Sequence, residues 1–387
     1  MDLRYYFNAT DFSRLINENI KTTKNSLGNL LQKNMLRFSA GSLKDFDVAI
    51  IGVPYDEKTP NKGTAKAPDE IRKYLYTLDN INPKFKIADL GNLKITKGEK
   101  AIYYALRDII DYLSEYGITT VLLGGGQDLS VGVAKFFKHN KYFQISTIDQ
   151  AIDLKTNPQP YDSTNYISRI LKENPGVFHI NFMGFQHYFV SQEILSKIKG
   201  LLYNAIRLGN LRNDPAQIEP LLRDTDFLSF DIGAVRQNDA PGYYNGSPNG
   251  LYSEEACQIA RYAGLSDKLS VFALFEVNPS YDQNNQTCKL AAQVIWYFLE
   301  GYTNRKNDIP GGNTYNYTQY NVEMEELETP LRFIQNPLTE RWWFEIDTVD
   351  NKKIAVSCTK NDYLAASKKE IPEKWLQFIR KIDKISK

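Results

Sequence analysis

Residues 119–137 read TTVLLGGGQDLSVGVAKFF. Five residues rich in β-branched and leucine side chains run into three glycines, and a helical pattern starting near Leu129 follows. A short, continuously apolar run bounded by a glycine turn is the mark of a strand buried on both faces. The glycines permit a tight turn from strand to helix, so the stretch is a βα unit. Upstream, DVAIIGVPY (47–55) repeats the theme, and APDEIRKYLYTL (67–78) follows with Pro68 and two acids in a first helical turn. Ile71, Leu75 and Leu78 then recur at helical spacing. A helix over 98–116, the strand YFQISTID (142–149) and strands at 177–182, 203–208, 226–232 and 269–277 continue the alternation, with helices at 191–199, 253–263 and 284–301. Strands alternating with helices over some 250 residues predict an α/β fold, a mostly parallel sheet covered on both faces in three αβα layers. The predicted organisation is an amino-terminal segment (1–44) packed on the core, the α/β domain (45–303) and a carboxyl-terminal extension (304–387). GYTNRKNDIPGGNTYNY (301–317) reads as the linker, and ERWWFEI, KKIAVSCT and PEKWLQFIRKI form an appendage that Trp342 and Trp343 anchor.

The 387 residues suffice for one large or two average domains. Lys plus Arg (47) nearly equal Asp plus Glu (46), a net charge of +1 that gives a nucleic-acid backbone nothing to bind. No stretch of 18 apolar residues occurs, so no membrane span is expected. Cys257, Cys288 and Cys358 stand apart with no Cys-x-x-Cys spacing, which fits neither a disulfide framework nor structural zinc. With no signal-like amino terminus in MDLRYYFNATDFSRL, a reducing, cytoplasmic setting is the expectation. Only three histidines are present, and a site built on several imidazoles has few candidates. His179 in an apolar strand and His187 in the next loop read as packing residues, and His139 closes a helix. The 25 Tyr and 20 Phe read as core and surface filling.

Parallel α/β sheets bind ligands beyond the carboxyl ends of their strands. Four ends are rich in polar residues: Gly124 to Asp128, Asp149 to Asp153, Ser229 to Gly233, and Glu276 to Pro279. Asp149 and Asp153, an even four apart, would face one side of an extended chain. Carboxylates at neighbouring strand ends repel by about 4 kcal/mol per pair at 4 Å and an effective dielectric near 20. A dication, or Lys155 or Arg236, would have to compensate. Glu276 could instead form a structural salt bridge, with Arg72 the candidate. The triple glycine has neither the spacing of a dinucleotide fingerprint nor the ending of a phosphate loop.

Taken in order, these motifs resemble the ureohydrolase superfamily of arginase, agmatinase and formimidoylglutamase over about residues 45–303. IGVPYD with NKGTAKAPDEIR is similar to the first strand and an Asn-Gly…Pro-x-x-Ile-Arg segment, LGGGQDLS to Gly-Gly-Gly-His-Glu, and IDQAIDL to Asp-Ala-His-x-Asp. SFDIGAVRQNDAPG resembles Ser-x-Asp-x-Asp followed by a Pro-Gly turn, and FEVNPSYDQNNQT resembles Glu-x-Asn-Pro…Asp…Thr. The triple glycine, AVRQNDAPG and MGFQHYF point to the formimidoylglutamase branch.

The resemblance implies an arginase-like fold and two manganese ions whose bridging hydroxide hydrolyses a C–N bond. Three of the six ligand positions depart from it: Gln127 and Ala151 stand where the family has histidine, and Gly233 where it has the second acid. One ion's set becomes Gln127, Asp149, Asp153 and Asp231, all oxygen donors if the Gln127 amide oxygen turns inward. The other would share Asp149 and Asp231 but needs donors at 151 and 233, so no binuclear centre is expected. The resemblance further implies ligand-facing roles for Glu276, Lys155 and Asn61. The reading that follows is a formimidoylglutamase/arginase-like protein without the binuclear manganese centre and without a cofactor, a pseudoenzyme or binding protein for a small amino-acid-like ligand, possibly a homo-oligomer. The alternative is a hydrolase of linear amidines (formimidoylglutamate, arginine or agmatine) using a single manganese, magnesium or calcium ion. A purely structural module has no positive feature in its favour.

Overall fold

In the computed structural model the chain is described over residues 1–8, 22–33, 40–82, 84–95, 98–156, 160–311, 316–348 and 352–385. Parts of the expected amino-terminal segment and of the 301–317 linker lie outside those residues. The central sheet is built from β1 (Phe7–Asn8), β2 (Gln32–Lys33), β3 (Val48–Gly52), β4 (Ile87–Leu93), β5 (Thr119–Leu123), β6 (Gln144–Ile148), β7 (His179–Phe185), β8 (Asn204–Arg207), β9 (Phe227–Asp231) and β10 (Val271–Phe275). Its order is β1-β4-β3-β5-β10-β9-β6-β7-β8, with β2 also on β4. Every pairing from β4 to β8 is parallel, and β1 alone runs antiparallel. In β3, β5, β6, β9 and β10 every residue is buried, because helices cover both faces and leave no solvent side for polar alternation.

One face packs on helices 67–75, 218–223, 253–264 and 286–303, around Ile71, Leu75, Ile259, Ile295 and Phe298. The other packs on helices 99–114, 130–136, 166–173 and 192–200, around Ile102, Leu106, Val133, Ile167 and Ile198. Helix 67–75 starts on Pro68 with Asp69 and Glu70 in its first turn and Arg72 and Lys73 in its last, the charge order that its dipole favours.

Strand β4, IADLGNL, has no counterpart in the expected elements, because Asp89, Gly91 and Asn92 break its apolar pattern. Asp89 is fully buried, yet satisfied: Arg72 Nε and Nη2 reach its two oxygens at 2.8 and 2.9 Å, and the Gly91 amide adds a bond at 2.9 Å. Arg72 therefore pairs with Asp89 and not with Glu276, so the structural salt bridge expected for Glu276 does not form.

The extension folds as an antiparallel sheet, β11 (Thr318–Val322), β12 (Leu331–Gln335), β13 (Trp342–Asp347) and β14 (Lys353–Cys358), followed by helices 360–367 and 373–385. Its own core gathers Leu331, Phe333, Trp342, Phe344, Val356, Phe378 and Ile382. It docks on the amino-terminal ends of the parallel strands. Arg223, just before β9, donates to the Trp342 and Cys358 carbonyls at 3.3 and 3.2 Å and lies over the Trp343 ring at 4.7 Å. Asp224 accepts from Ser357 N and pairs with Lys374, each at 3.0 Å. The linker is tied down by Asp308, which accepts from Thr339 (2.6 Å) and Arg341 (2.7 Å). The opposite edge, where the strands' carboxyl ends lie, is left to the loops of the main domain.

Candidate functional site

The strand order makes β5, β10, β9 and β6 consecutive neighbours. Their carboxyl ends therefore bring Gln127, Glu276, Asp231 and Asp149 side by side, although as many as 149 residues separate them in sequence. A pocket of about 200 Å³ opens there, lined by Asp149, Gln150, Ala151, Asp153, Ser163 and Thr164 on one side and by Phe189, Asp231, Tyr243, Tyr244 and Asn245 on the other. Larger clefts occur elsewhere, about 360 Å³ beside helix 130–136 and about 970 Å³ between β8 and the extension, but neither contains these acids.

Two acids are held in local turns. Asp149 Oδ1 accepts from the Ala151 amide at 3.0 Å, and Asp231 Oδ1 accepts from the Gly233 amide at 2.6 Å, capping the turn 232–234. Asp153 lies beside Asp149, whose charge adds to the cost of ionising it. They meet in a loop and not in an extended strand, so the even spacing is not what brings them together.

Burial is the main force on all of them. It lifts Asp149 to about 6 against the pull of its backbone bonds, and lifts Asp153 and Asp231 well above the usual carboxylate range, with the neighbouring Asp149 adding to both. Glu276 is raised to about 7 and Asp128 to about 8, again mainly by burial. Protons thus relieve much of the repulsion that a cation was expected to relieve. Arg236 is not the compensator, because it pairs with Asp239 at 2.8 Å and lies over the Tyr252 ring. Lys155 is exposed and donates to Thr164 Oγ1 at 2.6 Å.

Glu276 occupies a left-handed backbone position, φ 64°. Three bonds hold this conformation: Thr59 Oγ1 (2.9 Å) and Gln127 N (2.8 Å) donate to its carboxylate, and Asn61 Nδ2 donates to its carbonyl at 2.8 Å. Asn278 in turn donates to Asn61 Oδ1 at 2.7 Å. Glu276 and Asn61 thus form a buried frame behind the pocket and are absent from its wall. Gln127 turns its Nε2 to Ser229 Oγ (3.2 Å) and toward Asp149, and its Oε1 has no partner.

The most informative contact is at Gly233. Its backbone is not left-handed, so conformation alone does not demand glycine. A Cβ placed there would stand 2.6 Å from Cζ of Tyr243 and 2.9 Å from both Cε atoms. The Tyr243 ring therefore fills the space into which a side chain at 233 would project. Ala151, at the other position where the resemblance calls for a donor, lines the pocket with a methyl group. Among the described residues, no group of three or more His, Cys, Asp or Glu is arranged to hold a metal ion.

Residues 46–300 match the profile of the arginase family. The chain belongs to the arginase family. Formimidoylglutamase of Staphylococcus aureus (strain bovine RF122 / ET3-1) is 25% identical over 279 residues, covering 65% of this chain and 86% of that protein. Among solved structures, the formiminoglutamase of Trypanosoma cruzi with Mn²⁺ superposes with a TM-score of 0.64 at 21% identity, over 70% of this chain and 98% of that one. The formimidoylglutamase of Bacillus subtilis gives 0.63 at 19% identity, over 75% and 94%. Within this arginase-family domain, Tyr243, Tyr244 and Phe189 line the pocket in place of the filling role expected of the aromatics. The one sequence signal for two of them is the Tyr-Tyr pair directly after the Pro-Gly turn at 241–242.

Of the histidines, His179 is buried between the Tyr203 and Phe378 rings. His187 is exposed, with Nε2 3.3 Å from Gln192 Nε2, and His139 is exposed at the end of its helix. All three cysteines are free and buried. No helix among the described residues is long and apolar enough to cross a membrane.

Proposed function

We propose that this arginase-family chain does not carry out binuclear metal hydrolysis and instead binds a small amino-acid-derived molecule in the pocket at the carboxyl edge of its sheet. The observation that carries the reading is the Tyr243 ring, whose Cζ lies 2.6 Å from where a Cβ at Gly233 would be. A metal pair needs donor atoms at 151 and 233. Ala151 and Gly233 supply none, and the space beside 233 is taken by carbon. The residues present do not fit a pair of ions.

What the chain's own groups do supply is a polar floor inside an aromatic wall. Asp149, Asp153 and Asp231 supply acceptor oxygens, Ser163, Thr164 and Asn245 offer further hydrogen bonds, and Phe189, Tyr243 and Tyr244 exclude water from one side. The frame of Thr59, Asn61, Glu276 and Asn278 fixes the loops that carry these groups.

The test combines metal content with turnover. The purified chain is incubated with manganese and desalted, its metal is quantified, and formimidoylglutamate, arginine and agmatine are assayed for hydrolysis. The reading expects fewer than two equivalents of metal and no turnover above buffer. Turnover with one equivalent of manganese, magnesium or calcium would establish the single-metal hydrolase instead, and two tightly held equivalents would defeat the proposal.

A further inference from the structure

Resting on the reading of the pocket as a binding site, we infer that it selects a compact alkylammonium ion bearing at least one N–H and rejects both amidinium ions and molecules with a carboxylate. Three features of the wall carry this.

The first is an acceptor with nothing to accept. Gln150 lines the pocket and is 5% exposed, and its Oε1 has no hydrogen-bond partner. Its Nε2 faces the Asn245 carbonyl at 3.4 Å, which turns the oxygen the other way. A buried amide oxygen left unpaired is costly, and a ligand N–H satisfies it.

The second is the state of the acids. A planar amidinium or guanidinium is recognised by paired, in-plane carboxylate oxygens. Here one oxygen of Asp149 is taken by the Ala151 amide and one of Asp231 by the Gly233 amide. Neither Asp149 nor Asp231 is left with both oxygens open for a fork. An ammonium ion asks less of its surroundings. It needs negative charge nearby, one good acceptor and π faces for its methyl or methylene groups. Phe189, Tyr243 and Tyr244 line the same pocket, and the last two rings stand 5.1 Å apart.

The third feature is the charge of the wall. No lysine or arginine lines the pocket, whereas three aspartates do. A carboxylate entering it would face carboxyl oxygens and aromatic carbon with no cation among the lining residues to pair with it, a penalty that disfavours zwitterions.

The experiment titrates the intact chain with methyl-, dimethyl-, trimethyl- and tetramethylammonium, acetamidinium, glycine and formimidoylglutamate, read by calorimetry and by the shift in Tm. Methyl- to trimethylammonium are expected to bind saturably, with acetamidinium and glycine weaker by at least about tenfold. Gln150→Leu should weaken trimethylammonium by roughly tenfold, the value of one hydrogen bond from a charged donor. Tetramethylammonium, which has no N–H, should bind both forms equally. Tyr244→Ala, at an exposed ring, should weaken the whole series. Acetamidinium or glycine binding as tightly as methylammonium, or indifference of trimethylammonium to both substitutions, would overturn the inference. If formimidoylglutamate binds and the ammonium series does not, the inference falls while the reading of the pocket as a binding site survives. Saturable binding by none of the probes defeats both.

Discussion

Lys381 lies on the carboxyl-terminal helix, 6% exposed, with its Nζ 2.8 Å from the Phe178 carbonyl and against Nδ1 of His179. The rings of Tyr203 and Phe178 flank it at 4.4 and 5.5 Å, and no carboxylate pairs with it among the described ion pairs. Burial pushes its amine down from 10.5 to about 6, and burial together with the Lys381 charge holds His179 well below the usual imidazole range. A lysine whose folded pKa is depressed penalises folding once the unfolded chain begins to protonate. The penalty is absent above 10.5, grows as pH falls and is complete below about 6. At ~1.4 kcal/mol per pH unit it reaches about 5 kcal/mol near pH 7. Lys381→Met removes the penalty but leaves the Phe178 carbonyl without its donor, a loss of roughly 1–3 kcal/mol. With a loss of about 2 kcal/mol, the expected result is a variant more stable than wild type by about 3 kcal/mol at pH 7 and less stable by about 1 kcal/mol near pH 10. Urea unfolding at intervals from pH 6.5 to 10, roughly the span in which the lysine titrates differently in the two states, measures the difference. A stability difference that does not change with pH would refute the reasoning. The difference between the two proteins is the quantity to follow, because the raised carboxyls at the other edge contribute equally to both.

Gly233→Ala should destabilise by about 1–3 kcal/mol through overpacking against Tyr243, and Tyr243→Ala in the same chain should recover at least about 1 kcal/mol of that in a double-mutant cycle, measured by denaturant melts. Arg72→Met should cost about 3–5 kcal/mol, because it strands the Asp89 carboxylate in the interior, and a loss under 1 kcal/mol would contradict the buried pairing. Thr59→Val should lower stability by about 1–2 kcal/mol and increase hydrogen exchange at Asn61 and Gln127, since the Glu276 carboxylate loses one of its donors.

The alternation of apolar runs and amphipathic helices made the layered fold legible, because strands buried on both faces cannot hide their composition. β4 is not legible in the sequence, because a buried aspartate reads as a surface residue until its arginine, 17 positions away in sequence, is placed beside it. Helix 166–173 is likewise absent from the expected elements, being a single short amphipathic stretch between prolines. The motifs at the strand ends indicated which segments would meet, since the fold's rule for ligand sites depends on topology alone. They did not reveal how the acids are kept in check, which depends on burial and on hydrogen bonds that no spacing encodes. Nor did they give Tyr243 any role, because its meaning lies in a packing contact with a glycine ten residues earlier.

The central claim is that carbon, not metal, occupies the place beside Gly233. The most direct measurement is anomalous diffraction at the manganese edge from crystals grown with excess manganese. The account predicts the Tyr243 ring packed over Gly233 and no pair of manganese peaks between Asp149 and Asp231. Two peaks roughly 3.5–4 Å apart, bridged by those aspartates with the Tyr243 ring displaced, would contradict it.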